Sequence, residues 1–250
     1  MPRRRREDAK AFFAVPYAHR GLWGKSVAEN SLSAFRLAVE KGYGIELDVQ
    51  LSKDGEVVVF HDVSLARVTG CNASVYEKDL AFLKTLRLSD TEDCVPTLRE
   101  VLALVDGKVP LLVEIKSEYK WKEVCERTAA LLDGYEGAYL VESFHPLCVA
   151  WFRKNRPDVL CGQLSTRLWK ENKRTLSYGV VQNLLLNFYA RPDFVAYDVK
   201  HRHYFALLLC RLWKPYTLAW TVKSGEELSA AKDFDAVIFE NEEIFSKESQ

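Results

Sequence analysis

The chain has 250 residues, 48% of them hydrophobic and 28% charged, which suits a folded protein with a sizeable core and excludes extended disorder. Lys plus Arg equals Asp plus Glu at 35 each, so no field of one sign exists to hold a polyanion, and no nucleic-acid partner is expected. No apolar run approaches the length of about 18 residues that spans a bilayer, and the short stretch Ala11 to Ala18 is broken by Pro16. Neither a membrane span nor a secretory leader is therefore expected, and a cytoplasmic location follows. The six cysteines are scattered with no C-x-x-C pair, and are read as free thiols.

In chain order, residues 1–14 read as a tail that carries the basic cluster Arg3 to Arg6. A first strand is expected over Val15 to His19. A helix follows over Ser31 to Lys41, with Asn30 as its N-cap and Gly42 past its end. The second strand, Gly44 to Leu51, is followed after only Lys53-Asp54-Gly55 by the apolar run Glu56 to His61. So short a link cannot cross over to a parallel neighbour, and Asp-Gly is a tight-turn signal, so this run turns back as a hairpin ribbon. An insertion of about 53–96 is expected there.

Beyond it, strands are predicted over Leu111 to Ile115, Ala138 to Glu142, Leu160 to Gln163, Phe194 to Asp198, Thr217 to Thr221 and Ala236 to Glu240. Helices fill the gaps over Thr97 to Val105, Trp121 to Leu132, Pro146 to Asn155, Val181 to Phe188, His203 to Leu212 and Glu226 to Lys232. Without the ribbon this is the eight-strand rhythm of an α/β TIM (β/α)8 barrel, one domain over residues 15–245.

Chemistry concentrates at the C-terminal ends of these strands. Alternation along Ile45-Glu46-Leu47-Asp48-Val49 puts Glu46 and Asp48 on one face, about 7 Å apart along the strand. A carboxylate pair inside a barrel is costly unless a cation or another partner, such as a salt-bridge layer with Lys116 and Arg20, satisfies it, and an oxygen-only ligand set favours Mg²⁺ or Ca²⁺ over zinc. A hairpin turning at Asp54 brings His61 beside this pair. Glu114 ends another apolar strand, with Lys116 two positions on, and the first strand ends in His19-Arg20-Gly21. Histidines suit proton transfer near neutral pH and the cations suit phosphate, so the set fits metal-assisted cleavage of a phosphodiester.

These residues resemble the glycerophosphodiester phosphodiesterase family of soluble, bacterial type. The resemblance is carried by His19-Arg20-Gly21, Glu29-Asn30, Gly44 to Val49, Lys53-Asp54-Gly55, Val58 to Asp62, Leu65 with Arg67, Thr69-Gly70, Pro96-Thr97-Leu98 and Glu114-Ile115-Lys116. Ser143-Phe144 and Trp220-Thr221-Val222 extend it more thinly. It departs at Lys223, where the family commonly has Asn, and at Phe239-Glu240-Asn241, where Thr-Asp is usual.

The resemblance implies a divalent cation held by Glu46, Asp48 and Glu114, acid/base histidines at His19 and His61, and a pocket lined by Arg20, Lys116 and Trp220. It implies hydrolysis of a small-molecule glycerophosphodiester to sn-glycerol 3-phosphate and an alcohol. Two other readings of the same residues are a lysophospholipase D and a non-catalytic phosphoglycerol-binding protein. Retention of both histidines and all three acids argues against the second.

The segment Leu168 to Pro215 mixes Trp169, Phe188, Tyr189, Tyr204, Phe205 and Trp213 with Lys and Arg. Such a mixture permits weak contact with a lipid surface, without stable insertion. The expectation is nonetheless an ordinary barrel helix over its later part, packed on one side.

Overall fold

A computed structural model of the chain describes residues 7–168 and 175–249. The basic cluster Arg3 to Arg6 and Trp169 lie outside the described residues. The strand order, β1-β9-β8-β7-β6-β5-β4-β2-β3 with β1 also beside β2, is that of a TIM (β/α)8 barrel carrying the added ribbon strand β3. Ala18–Tyr139 forms one compact unit, and the remaining described residues form a second.

The first unit opens within β1 (Tyr17–His19), whose first residue belongs to the second unit, and leads through a tight loop to α1 (Leu32–Glu40), β2 (Gly44–Leu51) and β3 (Val57–Val59). Then come two short helices, α2 (Ala66–Thr69) and α3 (Leu80–Leu83), followed by α4 (Leu98–Val105), β4 (Leu111–Ile115) and α5 (Trp121–Leu132). The expected hairpin forms, with Val49 opposite Val59 and Leu51 opposite Val57 in antiparallel register. The insertion has its own apolar cluster, in which Val58, Phe60, Leu65, Val68, Val75 and Leu83 are buried together, so the ribbon is anchored on both sides of His61.

One expectation is corrected at the start of α1. The N-cap is Ser31, whose Oγ accepts from the Ala34 amide at 3.1 Å. Asn30 instead sits at φ +53° with its side chain turned onto the buried Asp48, to which its amide donates at 2.8 Å. The loop before it closes on Gly21, at φ +81°, where a Cβ would come 2.8 Å from Ala34 Cβ and 2.9 Å from the Ala34 carbonyl carbon. Gly21→Ala is expected to destabilise the fold by about 1–3 kcal/mol, read as a lower urea midpoint at unchanged slope.

The second unit continues with β5 (Tyr139–Ser143), whose first residue is the last of the first unit, then α6 (Pro146–Asn155) and β6 (Cys161–Ser165). The predicted helix over Val181 to Phe188 is replaced by two, α7 (Leu176–Gln182) and α8 (Asn187–Ala190). Leu184, at φ +55°, interrupts the helical backbone between them. Then follow β7 (Phe194–Asp198), α9 (Phe205–Arg211), β8 (Tyr216–Val222), α10 (Gly225–Ala230) and β9 (Ala236–Phe239).

Ala9 and Phe13 fall within the residues expected to form a tail, yet both are buried. Phe13 stacks on Tyr216 at 4.2 Å and meets Phe194 edge-on, because an aromatic ring gains more from this apolar surface than from water. The two departures from the family pattern pair with each other just past the far end of β8, Lys223 Nζ lying 2.6 Å from Glu240 Oε2.

Candidate active site

β2 is buried along its whole length, so its two faces carry different residues for different reasons. Ile45, Leu47 and Val49 are apolar and fully buried, while Glu46, Asp48 and Gln50 alternate with them. β4 runs parallel to β2 with Asp48 paired to Glu114, and partners in register point to the same face. Glu46, Asp48 and Glu114 therefore converge. Each offers a carboxylate oxygen, the three lie within 4.8 Å of one another, and together they could hold a metal ion.

Cations answer this charge from two sides. Lys116 Nζ donates to Glu114 Oε1 at 2.7 Å and lies 2.9 Å from Asp48 Oδ1, an ion pair without hydrogen-bond alignment. Arg20, at φ +59°, donates its backbone N–H to Glu46 Oε2 at 2.9 Å, and its buried Nε stands 3.4 Å from Asp48 Oδ2 without a hydrogen bond. Asn30 completes the shell by donating to Asp48 Oδ2 at 2.8 Å.

The carboxylates divide the charge unequally. Burial alone would raise Asp48, but the charges of Lys116, His61 and Arg20 outweigh it and hold its carboxyl well below the usual range. Burial dominates at Glu114, helped by the negative charge of Asp48, and its carboxyl is pushed up to about 7. Lys116 is held above its ordinary value, since Asp48 and Glu114 together overcome the cost of burying the ammonium.

His61 follows the hairpin, positioned by Gln50, whose carboxamide donates to the carbonyls of Phe60 and Asp62 at 2.7 and 2.9 Å. Its Nδ1 lies 2.6 Å from Asp62 Oδ1, and Arg67 Nε donates to the other Asp62 oxygen at 2.6 Å. Arg67 also grips Glu29 with both terminal nitrogens, at 3.0 and 2.6 Å, and Glu29 in turn accepts from Arg20 Nη1 at 2.9 Å. A line of polar contacts thus runs from His61 through Asp62, Arg67 and Glu29 to Arg20, whose Nε faces Asp48. Burial lowers the His61 pKa, with Lys116 and Arg20 adding to that, and this outweighs the opposing pull of Asp48 and Asp62. His19 stands beside Glu46, its Nε2 4.0 Å from Glu46 Oε2, and its carbonyl accepts from the Trp23 indole at 2.9 Å.

Seven of the eight residues singled out from sequence fall in Ala18–Tyr139: His19, Arg20, Glu46, Asp48, His61, Glu114 and Lys116. Trp220 is on β8 of the second unit, edge-on to Phe144 at 5.5 Å, with its buried Nε1 lacking a hydrogen-bond partner. Glu29, Asn30, Asp62 and Arg67 are not among the eight, yet the first three bond directly to Arg20, Asp48 and His61, and Arg67 bridges Asp62 and Glu29. The available signal was the adjacency of His61 and Asp62, since a histidine's second nitrogen needs an orienting partner.

The sequence profile of the glycerophosphoryl diester phosphodiesterase family matches residues 19–201. The chain belongs to that family. A glycerophosphodiester phosphodiesterase of Bacillus altitudinis is 34% identical over 158 residues, which cover 57% of this chain and 63% of the relative. The match thus spans less than two thirds of that curated relative. Among solved structures, a phosphodiesterase of Oleispira antarctica in complex with the product sn-glycerol-3-phosphate shares the fold at a TM-score of 0.81. It is 23% identical, and the match covers 97% of this chain and 99% of that one. A glycerophosphodiester phosphodiesterase of Thermotoga maritima is 26% identical at a TM-score of 0.74, covering 93% of this chain and 97% of that one.

Proposed function

We propose that the chain hydrolyses glycerophosphodiesters to sn-glycerol 3-phosphate and an alcohol, with residues 15–245 carrying the activity. The observation that bears most weight is the buried convergence of Glu46, Asp48 and Glu114 next to His19 and His61. Membership of the family supports it, as do the names of the relatives.

A divalent cation fits the three acids. They are oxygen donors only, they are buried, and Lys116 and Arg20 supply two positive charges against three carboxyl groups. Mg²⁺ or Ca²⁺ is the proposed ion, and when bound it would neutralise charge growing on the phosphoryl oxygens. The buried, unbonded Arg20 Nε and the Lys116 ammonium are the proposed phosphate contacts, and Trp220 is assigned to the glycerol pocket.

His61 is the proposed general base. Its Nδ1 is committed to Asp62, which leaves Nε2 to take the proton, and its lowered pKa keeps the imidazole neutral at physiological pH. His19, beside Glu46, is the proposed acid that returns a proton to the leaving alcohol. The six free cysteines, four of them buried, support a reducing compartment and hence the cytoplasm. Among the described residues no helix is long and apolar enough to cross a membrane.

The test is turnover of glycerophosphocholine and its relatives, read as released glycerol 3-phosphate. Activity is expected with Mg²⁺ or Ca²⁺ and its loss in EDTA. Tight binding of glycerol 3-phosphate with no turnover under either metal would turn the assignment into a binding protein. Faster turnover of acylated than of deacylated substrates would turn it into a lysophospholipase D.

A further inference from the structure

Nine of the twelve large hydrophobic side chains exposed among the described residues lie between Leu176 and Leu212, all in the second unit. Single exposed apolar residues are ordinary, but a concentration of this kind marks a surface that meets something other than water. On α9 the exposed set is Phe205, Leu208, Leu209 and, at its cap, Leu212, with Phe205 73% and Leu212 71% accessible. The spacing i, i+3, i+4, i+7 makes them one face. The opposite face, Ala206, Leu207 and Cys210, is buried. The expectation of a helix packed on one side holds for that second face and leaves the first, equally apolar, uncovered.

The neighbouring segment adds Leu185, Phe188 and Tyr189, of which Phe188 is 74% exposed. It is tied to α9 by Tyr204, which donates to Asn183 Oδ1 at 2.8 Å, and by Asn187 Nδ2, which lies 3.9 Å from Cys210 Sγ. The two apolar sets therefore flank a shared seam.

Charge identifies the occupant. Over residues 175–215 the only acids are Asp193 and Asp198, and both are buried. Arg191, Lys200 and Lys214 are exposed there, and Arg202 and Arg211 are half-buried, in a chain whose net charge is zero. A second copy docked through the same face would set these like charges against one another. A bilayer rich in anionic phospholipid offers the opposite charge at its headgroups and an apolar layer just below them. We propose that α8 and α9 form a docking face for an anionic membrane surface, with Phe205, Leu212 and Phe188 entering the interface and the basic residues meeting the headgroups. Binding of this kind is peripheral and reversible, and it is independent of the catalytic reading.

The experiment is flotation of the full chain with vesicles of phosphatidylcholine alone and of phosphatidylcholine with phosphatidylglycerol. Retention is expected only with phosphatidylglycerol and is expected to fall as salt rises. Phe205→Glu with Leu212→Glu, and separately Arg191→Glu with Lys214→Glu, are each expected to weaken retention by about tenfold or more. The far-ultraviolet spectra and the turnover of a water-soluble glycerophosphodiester should match the parent chain, which separates a lost docking face from a lost fold. Equal retention of parent and variants, or no retention on anionic vesicles at low salt, overturns the proposal. A lipid-free dimer that Leu212→Glu dissociates also overturns it and assigns the face to a second copy.

Discussion

His61→Ala is expected to lower kcat/KM for a glycerophosphodiester by about 10²- to 10⁴-fold, the usual worth of a positioned acid or base. The fold should be little disturbed, because the side chain is 32% exposed and Asp62 keeps Arg67 as a partner when the imidazole is gone. A melting midpoint close to the parent's, measured on the same preparation, would show this. Asp62→Asn sharpens the test. It leaves His61 in place and weakens only the group that orients it, so kcat should fall by about 10- to 100-fold with KM little changed. The Asp62 bond raises the His61 pKa, so its loss should move the acidic limb of the pH–rate profile to lower pH. A His61→Ala enzyme with parental turnover would remove the base from the proposed mechanism.

Lys116→Met should produce the largest loss of stability. The ammonium is buried and holds Glu114 at 2.7 Å and Asp48 at 2.9 Å, and methionine keeps its length but not its charge. Leaving buried carboxylates without their cation costs about 3–5 kcal/mol. In EDTA the urea midpoint should fall accordingly, and adding Mg²⁺ or Ca²⁺ should recover more stability in the variant than in the parent, since a cation then supplies the missing charge. The pH dependence has a definite sign. Burial raises the folded Glu114 carboxyl to about 7, above the ordinary glutamate range that applies to the unfolded chain. Stability without metal is therefore lost as pH rises from that range through about 7, and the variant's deficit should grow in the same direction. A midpoint in EDTA unchanged by the substitution would mean that the cluster is not held together by Lys116.

The residues legible in the sequence share one property, that local geometry decides them. Alternation fixes Glu46 and Asp48 on one face of β2, and Lys53-Asp54-Gly55 forces the return strand that brings His61 back beside them. Helix ends were readable within a few residues for the same reason, and Trp121–Leu132 and Pro146–Asn155 begin and end where the pattern puts them. The N-cap of α1 was not readable, because Asn30 and Ser31 are both good caps and a distant acid, Asp48, chose between them.

By itself, then, the sequence determined the strand and helix rhythm, the hairpin, and the residue types that make the site chemical, since these follow from periodicity and turn chemistry within a few residues. Only the tertiary structure decided who partners whom. The line from His61 through Asp62, Arg67 and Glu29 to Arg20 joins residues up to 38 positions apart, and no local rule specifies such a pairing. The same holds for the uncovered face of α9. Both of its faces are apolar, so periodicity could not tell the packed side from the bare one, and only the contacts made by Leu207 and Cys210 did.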